Sequence, residues 1–248
     1  RWRRWRPPRR DDWQGMIRSD VIVLGAGIAG ASAAAELAAH ARVTLLEMEA
    51  QPGYHATGRS AAYFAAAYGK RVVRELTRCC EAFFRAPPDG FSELQLLRPR
   101  DCMFFGRADQ ALALQAMQQD NPALEFLGAD EVRRRVPVFA EAYLHGALRE
   151  PRGGDLDVDA ILQAYLRLFR RRGGTLSGSR RATALHAHSG AWRVTAGGED
   201  YEAEVVVNAA GAWADRVAQL ASLKGLGIRP FRRTALPVAA PAALDTRD

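Results

Sequence analysis

The sequence predicts an α/β protein, and three short apolar runs carry that prediction. Val21–Leu24 and Val43–Leu46 are rich in aliphatic residues, and the alanine-rich stretch Ala31–Ala39 between them is long enough for a helix. This order is typical of a β-α-β unit whose parallel strands are buried on both faces. A later run, Glu204–Gly211, is expected to return the chain to the same sheet. The 248 residues suffice for one large domain or two smaller ones.

A glycine-rich turn joins the first strand to the helix and predicts a dinucleotide-binding site. The turn reads Gly25-Ala26-Gly27-Ile28-Ala29-Gly30. Gly25 allows the tight turn, Gly27 lets a pyrophosphate approach the backbone, and Gly30 lets the helix pack close to the strand. The helix N-terminus offers N–H groups and the positive end of its dipole to the phosphates. Glu47 follows the second strand, where its carboxylate can accept both ribose hydroxyls and would repel a 2′-phosphate.

The dinucleotide is predicted to be FAD. After Glu47 the chain enters a small, polar loop, Gln51–Ala62, whose backbone N–H groups can face phosphate or a flavin ring. No second complete glycine fingerprint occurs, because the segment Gly225-Leu226-Gly227 lacks its third glycine. A single dinucleotide held by distant segments favours FAD over NAD, and Glu47 disfavours NADP.

The composition is that of an ordinary globular protein with a basic N-terminal end. Hydrophobic residues make up 48% and charged residues 25%, which excludes a collagen-like or disordered chain. Residues 1–15 contribute +4 of the net charge of +7 and show no apolar periodicity. They are expected to be a disordered extension ahead of a natural start at Met16, with a nucleic-acid or membrane-surface arm as the alternative. Neither a nucleic-acid partner nor an integral membrane segment is predicted.

The cysteines and histidines do not form a recognisable metal or disulfide pattern. Cys79, Cys80 and Cys102 lack zinc-ligand spacing, which favours a reducing compartment and a cytoplasmic location. Cys79 and Cys80 lie in the apolar stripe of a predicted helix, Lys70–Arg85, and are expected to be core thiols. His186 and His188 alternate along a predicted strand without an evident third ligand, so no metal site is predicted.

The remaining segments are expected to contain helices and a β-meander. A helix is predicted near Asp109–Gln119, and Asp157 or Asp159 can cap another helix over Ala160–Arg172. The predicted strands of the meander are Thr183–His188, Trp192–Thr195 and Tyr201–Val207.

These motifs resemble the D-amino-acid oxidase superfamily of flavoproteins, most closely its D-arginine dehydrogenase-like members. The resemblance covers residues 16 to about 240 and rests on GAGIAGASAAAELAAHARVTLLE, EAQPGYHATGRSAA, GDLDVDAILQAYLR and VVVNAAGAWAD. It implies FAD and a Rossmann-like FAD-binding domain, with an interleaved α+β substrate domain on a mixed sheet that is incomplete here. The FAD-binding domain is expected over residues 16–85 and 151–222, and the substrate domain over residues 86–150 and 223–248.

The resemblance also assigns residues to the cofactor. Those expected to bind FAD lie in the fingerprint, the polar loop, the meander and the later strand: Gly25, Gly27, Ile28, Ala29, Gly30, Glu47, Thr57, Gly58, Arg59, Ser60, Ala61, Thr183, Gly211 and Trp213.

On the substrate side, Tyr68 matches an active-site tyrosine and Arg233 an arginine that clamps the substrate carboxylate. Two positions depart from the D-arginine enzyme: Tyr63 replaces an active-site histidine, and Cys102 replaces a glutamate that pairs with the cationic end of the substrate. The loss of that glutamate favours a neutral D-amino acid.

The function implied by the resemblance is oxidation of the CH–NH2 group of a D-amino acid. A hydride would pass from the α-carbon to flavin N5, and the imino acid would hydrolyse to a 2-oxo acid and ammonia. The alternatives are a sarcosine- or glycine-oxidase-like enzyme acting on secondary amines and an inactive truncated product, because the family continues beyond Asp248. The expected partner is a small amino acid or amine, and the electron acceptor stays open.

Overall fold

The computed structural model describes residues 16–232 together with residues 234, 236 and 239. The chain divides into two compact units that are interleaved in sequence. Of the described residues, those within 16–60 and 161–234 form the first unit, and residues 61–160 with 236 and 239 form the second. Interleaving agrees with the predicted fold class; the division falls after Ser60 and Ala160, whereas the sequence predicts boundaries near residues 85 and 150. Residues 61–85 therefore lie in the second unit.

The first unit contains a four-stranded parallel sheet. Its strands and the helices that accompany it are β2 (Val21–Leu24), α1 (Ile28–Leu37), β3 (Val43–Leu46), α5 (Val158–Arg171, in this unit from Ile161), β10 (Thr175–Ser177), β14 (Val205–Asn208) and α6 (Ala214–Leu220). The strand order is β10-β3-β2-β14, and every pair is parallel. The predicted β-α-β unit and the returning strand are thus confirmed.

The two central strands are buried on both faces because each face of the sheet is covered. On one face, α1 and α5 pack against β2 and β3, with Leu162, Leu166 and Phe169 of α5 at the centre of the cluster. On the other face, Ile22, Leu24 and Leu46 pack against the meander, where Tyr201 is 1% exposed. Purely apolar runs such as Val21–Leu24 are what a strand in the middle of such a layered structure requires.

The predicted meander forms a separate sheet in the same unit. Its strands are β1 (Ile17–Arg18), β11 (Ala182–His188), β12 (Ala191–Ala196) and β13 (Glu199–Ala203), in the order β1-β13-β12-β11. The strands β11, β12 and β13 pair antiparallel, and β1 joins β13 in parallel. His186 and His188 on β11 are both exposed.

In the described part of the second unit, the chain forms two three-stranded sheets and three α-helices. Its elements are β4 (Tyr63–Phe64), α2 (Arg71–Arg85), β5 (Leu97–Pro99), β6 (Cys102–Gly106), α3 (Ala111–Asp120), β7 (Glu125–Gly128), α4 (Ala129–Arg135), β8 (Gly146–Glu150) and β9 (Gly154–Leu156). The sheet orders are β4-β9-β5 and β6-β8-β7, and all of these pairs are antiparallel. The side chain of Asp157 accepts the N–H of Ala160 at 2.8 Å, so Asp157 caps the start of α5.

The apolar stripe of α2 is exposed from Val72 to Cys80 and half-buried at Phe83 and Phe84, which contradicts the prediction that Cys79 and Cys80 are core thiols. Both cysteines are exposed, and Leu76 on the same face is 63% exposed. The buried side of the helix is polar: Glu81 is 8% exposed and pairs with Arg85 at 2.8 Å and with Arg152 at 2.7 Å. Helical periodicity identifies an apolar face, but it does not determine whether that face is covered.

No helix within the described residues is both long enough and apolar enough to cross a membrane.

Candidate functional site

The glycine turn between β2 and α1 has the geometry that the fingerprint predicts. Gly25 adopts a φ of 102°, and a Cβ at this position would lie 2.6 Å from the carbonyl oxygen of Ala209. A Cβ on Gly30 would lie 1.7 Å from the carbonyl oxygen of Gly25. Both positions therefore require glycine, the first for its backbone conformation and the second for close packing of the helix on the turn. Helix α1 begins after Gly27, which has no side chain to cap the first amides.

Glu47 lies at the carboxyl end of β3 and is held by the backbone on both sides. Its Oε2 accepts the N–H of Ala26 at 2.7 Å, and its Oε1 accepts the N–H of Glu49 at 3.0 Å. The residue is 7% exposed, and each carboxylate oxygen keeps acceptor capacity for a further donor. The carboxylate is thus fixed beside the glycine turn, as an acceptor for ribose hydroxyls would have to be.

The polar loop after β3 folds back onto the start of α1. The Thr57 hydroxyl accepts the N–H of Ile28 at 3.0 Å and lies 3.1 Å from where a Cβ of Gly27 would be. Gly53 donates its N–H to the carbonyl of Ala26 at 3.1 Å. These contacts place the loop against the helix N-terminus, where a phosphate would bind.

A cavity of about 550 Å³ opens at this edge of the parallel sheet, within the first unit. The residues around it come from the glycine turn, the end of β3, the polar loop, the β10–β11 turn and the segment after β14. Of the predicted cofactor residues, the cavity is lined by Gly25, Gly27, Ile28, Ala29, Glu47, Thr57, Thr183, Gly211 and Trp213.

The other predicted cofactor residues do not line this cavity. Gly30 lies behind the turn, in contact with Gly25. Gly58 and Arg59 are in the loop, and the Arg59 guanidinium lies 4.8 Å from the ring centre of Tyr54, which does line the cavity. Ser60 ends the first unit and Ala61 begins the second. Their assignment to the cofactor stays a prediction from the resemblance.

Several lining residues are not among those that the sequence assigns to the cofactor. His55, which lies in the predicted polar loop, has its Nε2 2.9 Å from Glu49 Oε1, and the ring centres of His55 and Trp213 are 4.6 Å apart. Arg180 is bound through its backbone N–H to the carbonyl of Glu47 at 2.7 Å, and Arg181 follows it at the cavity. No local motif marks Arg180 or Arg181, because the β10–β11 turn is brought to the site by the pairing of β10 with β3.

In the second unit, Tyr63 is held in place by the chain segments around it. Its hydroxyl donates to the carbonyl of Arg100, whose guanidinium lies 5.3 Å from the ring centre. A Cβ on Gly153 would lie 2.3 Å from the same hydroxyl. Burial, reinforced by the nearby Cys102, raises the pKa of Tyr63. A neutral, hydrogen-bonded phenol of this kind is suited to shaping a pocket and not to accepting a proton at neutral pH.

Cys102 and Glu150 are directly opposite each other on β6 and β8. Burial raises the pKa of the Cys102 thiol, and the nearby Glu150 adds to the effect, so this thiol is neutral. Glu150 is 5% exposed, and its carboxylate accepts the N–H of Ala67 at 3.1 and 3.2 Å. Burial raises the pKa of Glu150 despite these hydrogen bonds. Sequence reading missed this carboxylate because its partners lie more than 80 residues away.

Tyr68 and Arg233 complete the predicted substrate-side set. Tyr68 directly follows the Ala67 amide that Glu150 binds and is 56% exposed. Arg233 lies outside the described residues. Tyr63, Tyr68 and Cys102 therefore share the second unit, and their roles towards a substrate stay predictions.

A Rossmann-like sheet with a glycine turn, a fixed carboxylate and a cavity at its carboxyl edge defines a dinucleotide-binding protein. The sequence profile of the family described as DAO, FAD dependent oxidoreductase, matches residues 20–247. The chain belongs to this family, and its cofactor is FAD. The glycines, Glu47 and the amides at the start of α1 fit that dinucleotide, since side chains at Gly25 and Gly30 would occupy the space that the turn needs.

Comparison with individual proteins supports the same family and fold. The chain is 28% identical over 225 residues to L-2-hydroxyglutarate dehydrogenase of Escherichia coli K12, covering 86% of the chain and 52% of that protein. It is 22% identical over 222 residues to monomeric sarcosine oxidase of Bacillus sp. strain B-0618, covering 86% and 56%. Glycine oxidase from Geobacillus kaustophilus superposes with a TM-score of 0.73 at 22% identity, covering 83% of the chain and 58% of that structure. The chain spans about half the length of the curated relatives it matches.

Proposed function

We propose that the protein oxidises the CH–NH2 group of a D-amino acid, with bound FAD as the immediate acceptor of the electrons. Family membership and the fixed Glu47 carboxylate beside the glycine turn carry the flavin part of this proposal. The substrate part rests on the match of EAQPGYHATGRSAA, Tyr68 and Arg233 to D-amino-acid dehydrogenases. Bound FAD supplies an acceptor for two electrons from the substrate α-carbon.

The residues of the first unit would bind and orient the cofactor. Glu47 would accept the ribose hydroxyls through the lone pairs that its two backbone donors leave free. The amides at the start of α1 would bind the pyrophosphate, and Thr57 keeps the polar loop close to these amides. Trp213 and His55 form an aromatic wall of the cavity.

The substrate-side residues would select and hold the amino acid. Arg233 would bind the carboxylate with a bidentate guanidinium, and Tyr68 would order the amine or screen it from water. The neutral Cys102 thiol offers no charge to a cationic side chain, which favours a neutral amino acid. Loss of two electrons and two protons gives an imino acid, which water converts to a 2-oxo acid and ammonia.

Two other substrate classes have specific support. The 28% identity to L-2-hydroxyglutarate dehydrogenase favours a 2-hydroxy acid, whose oxidation yields a 2-oxo acid without ammonia. The likeness to sarcosine oxidase favours a secondary amine. L-2-hydroxyglutarate and sarcosine both carry a carboxylate, so an arginine clamp alone does not distinguish them from a D-amino acid.

Product analysis separates these classes. The full-length protein is incubated with an artificial electron acceptor and D-alanine, D-arginine, sarcosine or L-2-hydroxyglutarate. The proposal predicts equimolar ammonia and 2-oxo acid from a neutral D-amino acid and little reaction with the other three substrates. Faster oxidation of L-2-hydroxyglutarate or sarcosine would overturn it.

A further inference from the structure

The polar loop after β3 and the segment after β14 lie on either side of the glycine turn, because β2 lies between β3 and β14 in the sheet. The segment after β14 packs on the turn, since a Cβ on Gly25 would lie 2.6 Å from the carbonyl oxygen of Ala209. On the other side, the hydrogen bond from the N–H of Ile28 to the Thr57 hydroxyl binds the polar loop to the start of α1. Each segment therefore has its own contact with the turn.

The side chains of His55 and Trp213 join these two segments directly. His55 belongs to the polar loop and Trp213 to the segment after β14, and their ring centres are 4.6 Å apart with 53° between the ring planes. Both residues are half-buried, and both line the cavity. The turn, the polar loop and the segment after β14 thus form a closed ring of contacts, and all three contribute to the cavity wall.

Glu49 fixes the orientation of the His55 ring. Because a carboxylate only accepts hydrogen bonds, His55 donates its Nε2–H to Glu49 Oε1 at 2.9 Å. Glu49 is itself held through its backbone: its N–H binds the Glu47 carboxylate at 3.0 Å, and its carbonyl accepts the N–H of Ser179 at 2.8 Å. An anchored acceptor therefore holds the His55 ring where it contacts Trp213.

We propose that the contact between His55 and Trp213 must open for FAD to enter or leave, and that Glu49 is the positioning residue that keeps it closed. A dinucleotide bound to the amides at the start of α1 would lie between the two segments that this contact joins. FAD exchange does not depend on which substrate the protein oxidises. The alternatives are that His55 only contacts bound FAD or only stabilises the polar loop.

His55→Ala distinguishes these roles through the rates of FAD binding to the full-length protein. Association with the apoprotein is followed by stopped-flow quenching of flavin fluorescence, and dissociation by the recovery of fluorescence after dilution of the holoprotein. Loss of an aromatic contact that has to open should raise both rate constants about tenfold and leave the Kd for FAD nearly unchanged. An unchanged association rate constant would overturn the proposal. Faster dissociation alone would make His55 a direct contact of FAD, and no change in either rate would leave it a residue of the loop only.

A conservative variant and a matched control accompany this measurement. His55→Phe keeps an aromatic ring beside Trp213 but cannot donate to Glu49, so its rate constants should lie between those of the wild type and of His55→Ala. His40→Ala makes the same change at an exposed histidine that follows α1 and does not line the cavity, and its rate constants should equal those of the wild type. Equal acceleration in His40→Ala and His55→Ala would contradict the proposal.

Glu49→Ala tests the positioning role. The substitution removes the acceptor of the His55 ring but keeps the backbone groups of residue 49 that bind Glu47 and Ser179. Both rate constants should rise about fivefold. The double variant should exchange FAD no faster than His55→Ala alone, because Glu49 acts through His55. Additive effects of the two substitutions on the rates would show that Glu49 acts independently of His55 and would overturn its assignment.

Discussion

Replacing Glu47 by glutamine is the sharpest test of how the chain binds its cofactor. The substitution keeps size and shape but exchanges one acceptor oxygen for an NH2 group. In the structure both oxygens accept backbone N–H groups, from Ala26 at 2.7 Å and from Glu49 at 3.0 Å. In either orientation of the glutamine amide, its NH2 group faces one of these two backbone N–H groups, so that N–H loses its acceptor. The negative charge that would strengthen the hydrogen bonds from the ribose hydroxyls is also lost.

The expected loss follows from the number and kind of bonds involved. A hydrogen bond to a charged group contributes about 1.5–3 kcal/mol, and Glu47, at 7% exposed, receives little compensation from solvent. The loss of one such bond corresponds to an increase of about 10- to 150-fold in the Kd for FAD.

Equilibrium titration of the apoprotein, followed by quenching of flavin fluorescence, measures this Kd. Glu36→Gln is the matched control, because it makes the same chemical change on α1. Glu36 pairs with Arg172, with 3.4 Å between the charged atoms, and does not line the cavity. The reasoning is refuted if Glu47→Gln and Glu36→Gln bind FAD equally tightly while both variants are folded.

Three further outcomes are expected. Gly30→Ala should abolish FAD binding, measured by flavin retention on gel filtration, because its Cβ would lie 1.7 Å from the carbonyl oxygen of Gly25. Cys102→Glu, in the full-length protein, should raise kcat/KM for D-arginine relative to a neutral D-amino acid by at least about tenfold. The raised pKa of Glu150 means that wild-type stability falls as pH rises through that pKa, so Glu150→Gln should flatten the pH dependence of Tm.

The cofactor half of the site could be predicted from sequence because its signals are local. The strand Val21–Leu24, the glycines after it and Glu47 at the next strand end occupy fixed positions in one β-α-β unit. Their spacing is dictated by the geometry of that unit, so a single sequence suffices to recognise it. The family comparison confirms FAD as the cofactor.

The other parts of the fold and of the candidate site could not be predicted from sequence, because they depend on contacts between distant segments. Glu150 is buried opposite Cys102 because β8 pairs with β6, and nothing in the residues around Glu150 signals that pairing. The exposed stripe containing Leu76 has the same periodicity as a core stripe, so its surroundings could not be inferred from spacing. Asp157 and Asp159 were equivalent as helix caps until the bond from Ala160 to Asp157 distinguished them.

The most direct test of the proposed chemistry is reduction of the bound flavin in the absence of oxygen. The full-length protein is mixed anaerobically with D-alanine, L-alanine, sarcosine or L-2-hydroxyglutarate, and the absorbance of the oxidised flavin is followed through a single turnover. This experiment measures the reductive half-reaction, in which the substrate is oxidised and the flavin reduced, independently of the final electron acceptor. The account predicts rapid and complete bleaching with D-alanine and slow bleaching, or none, with the other three. Bleaching that is fastest with L-2-hydroxyglutarate or sarcosine, with D-alanine inert, would contradict it.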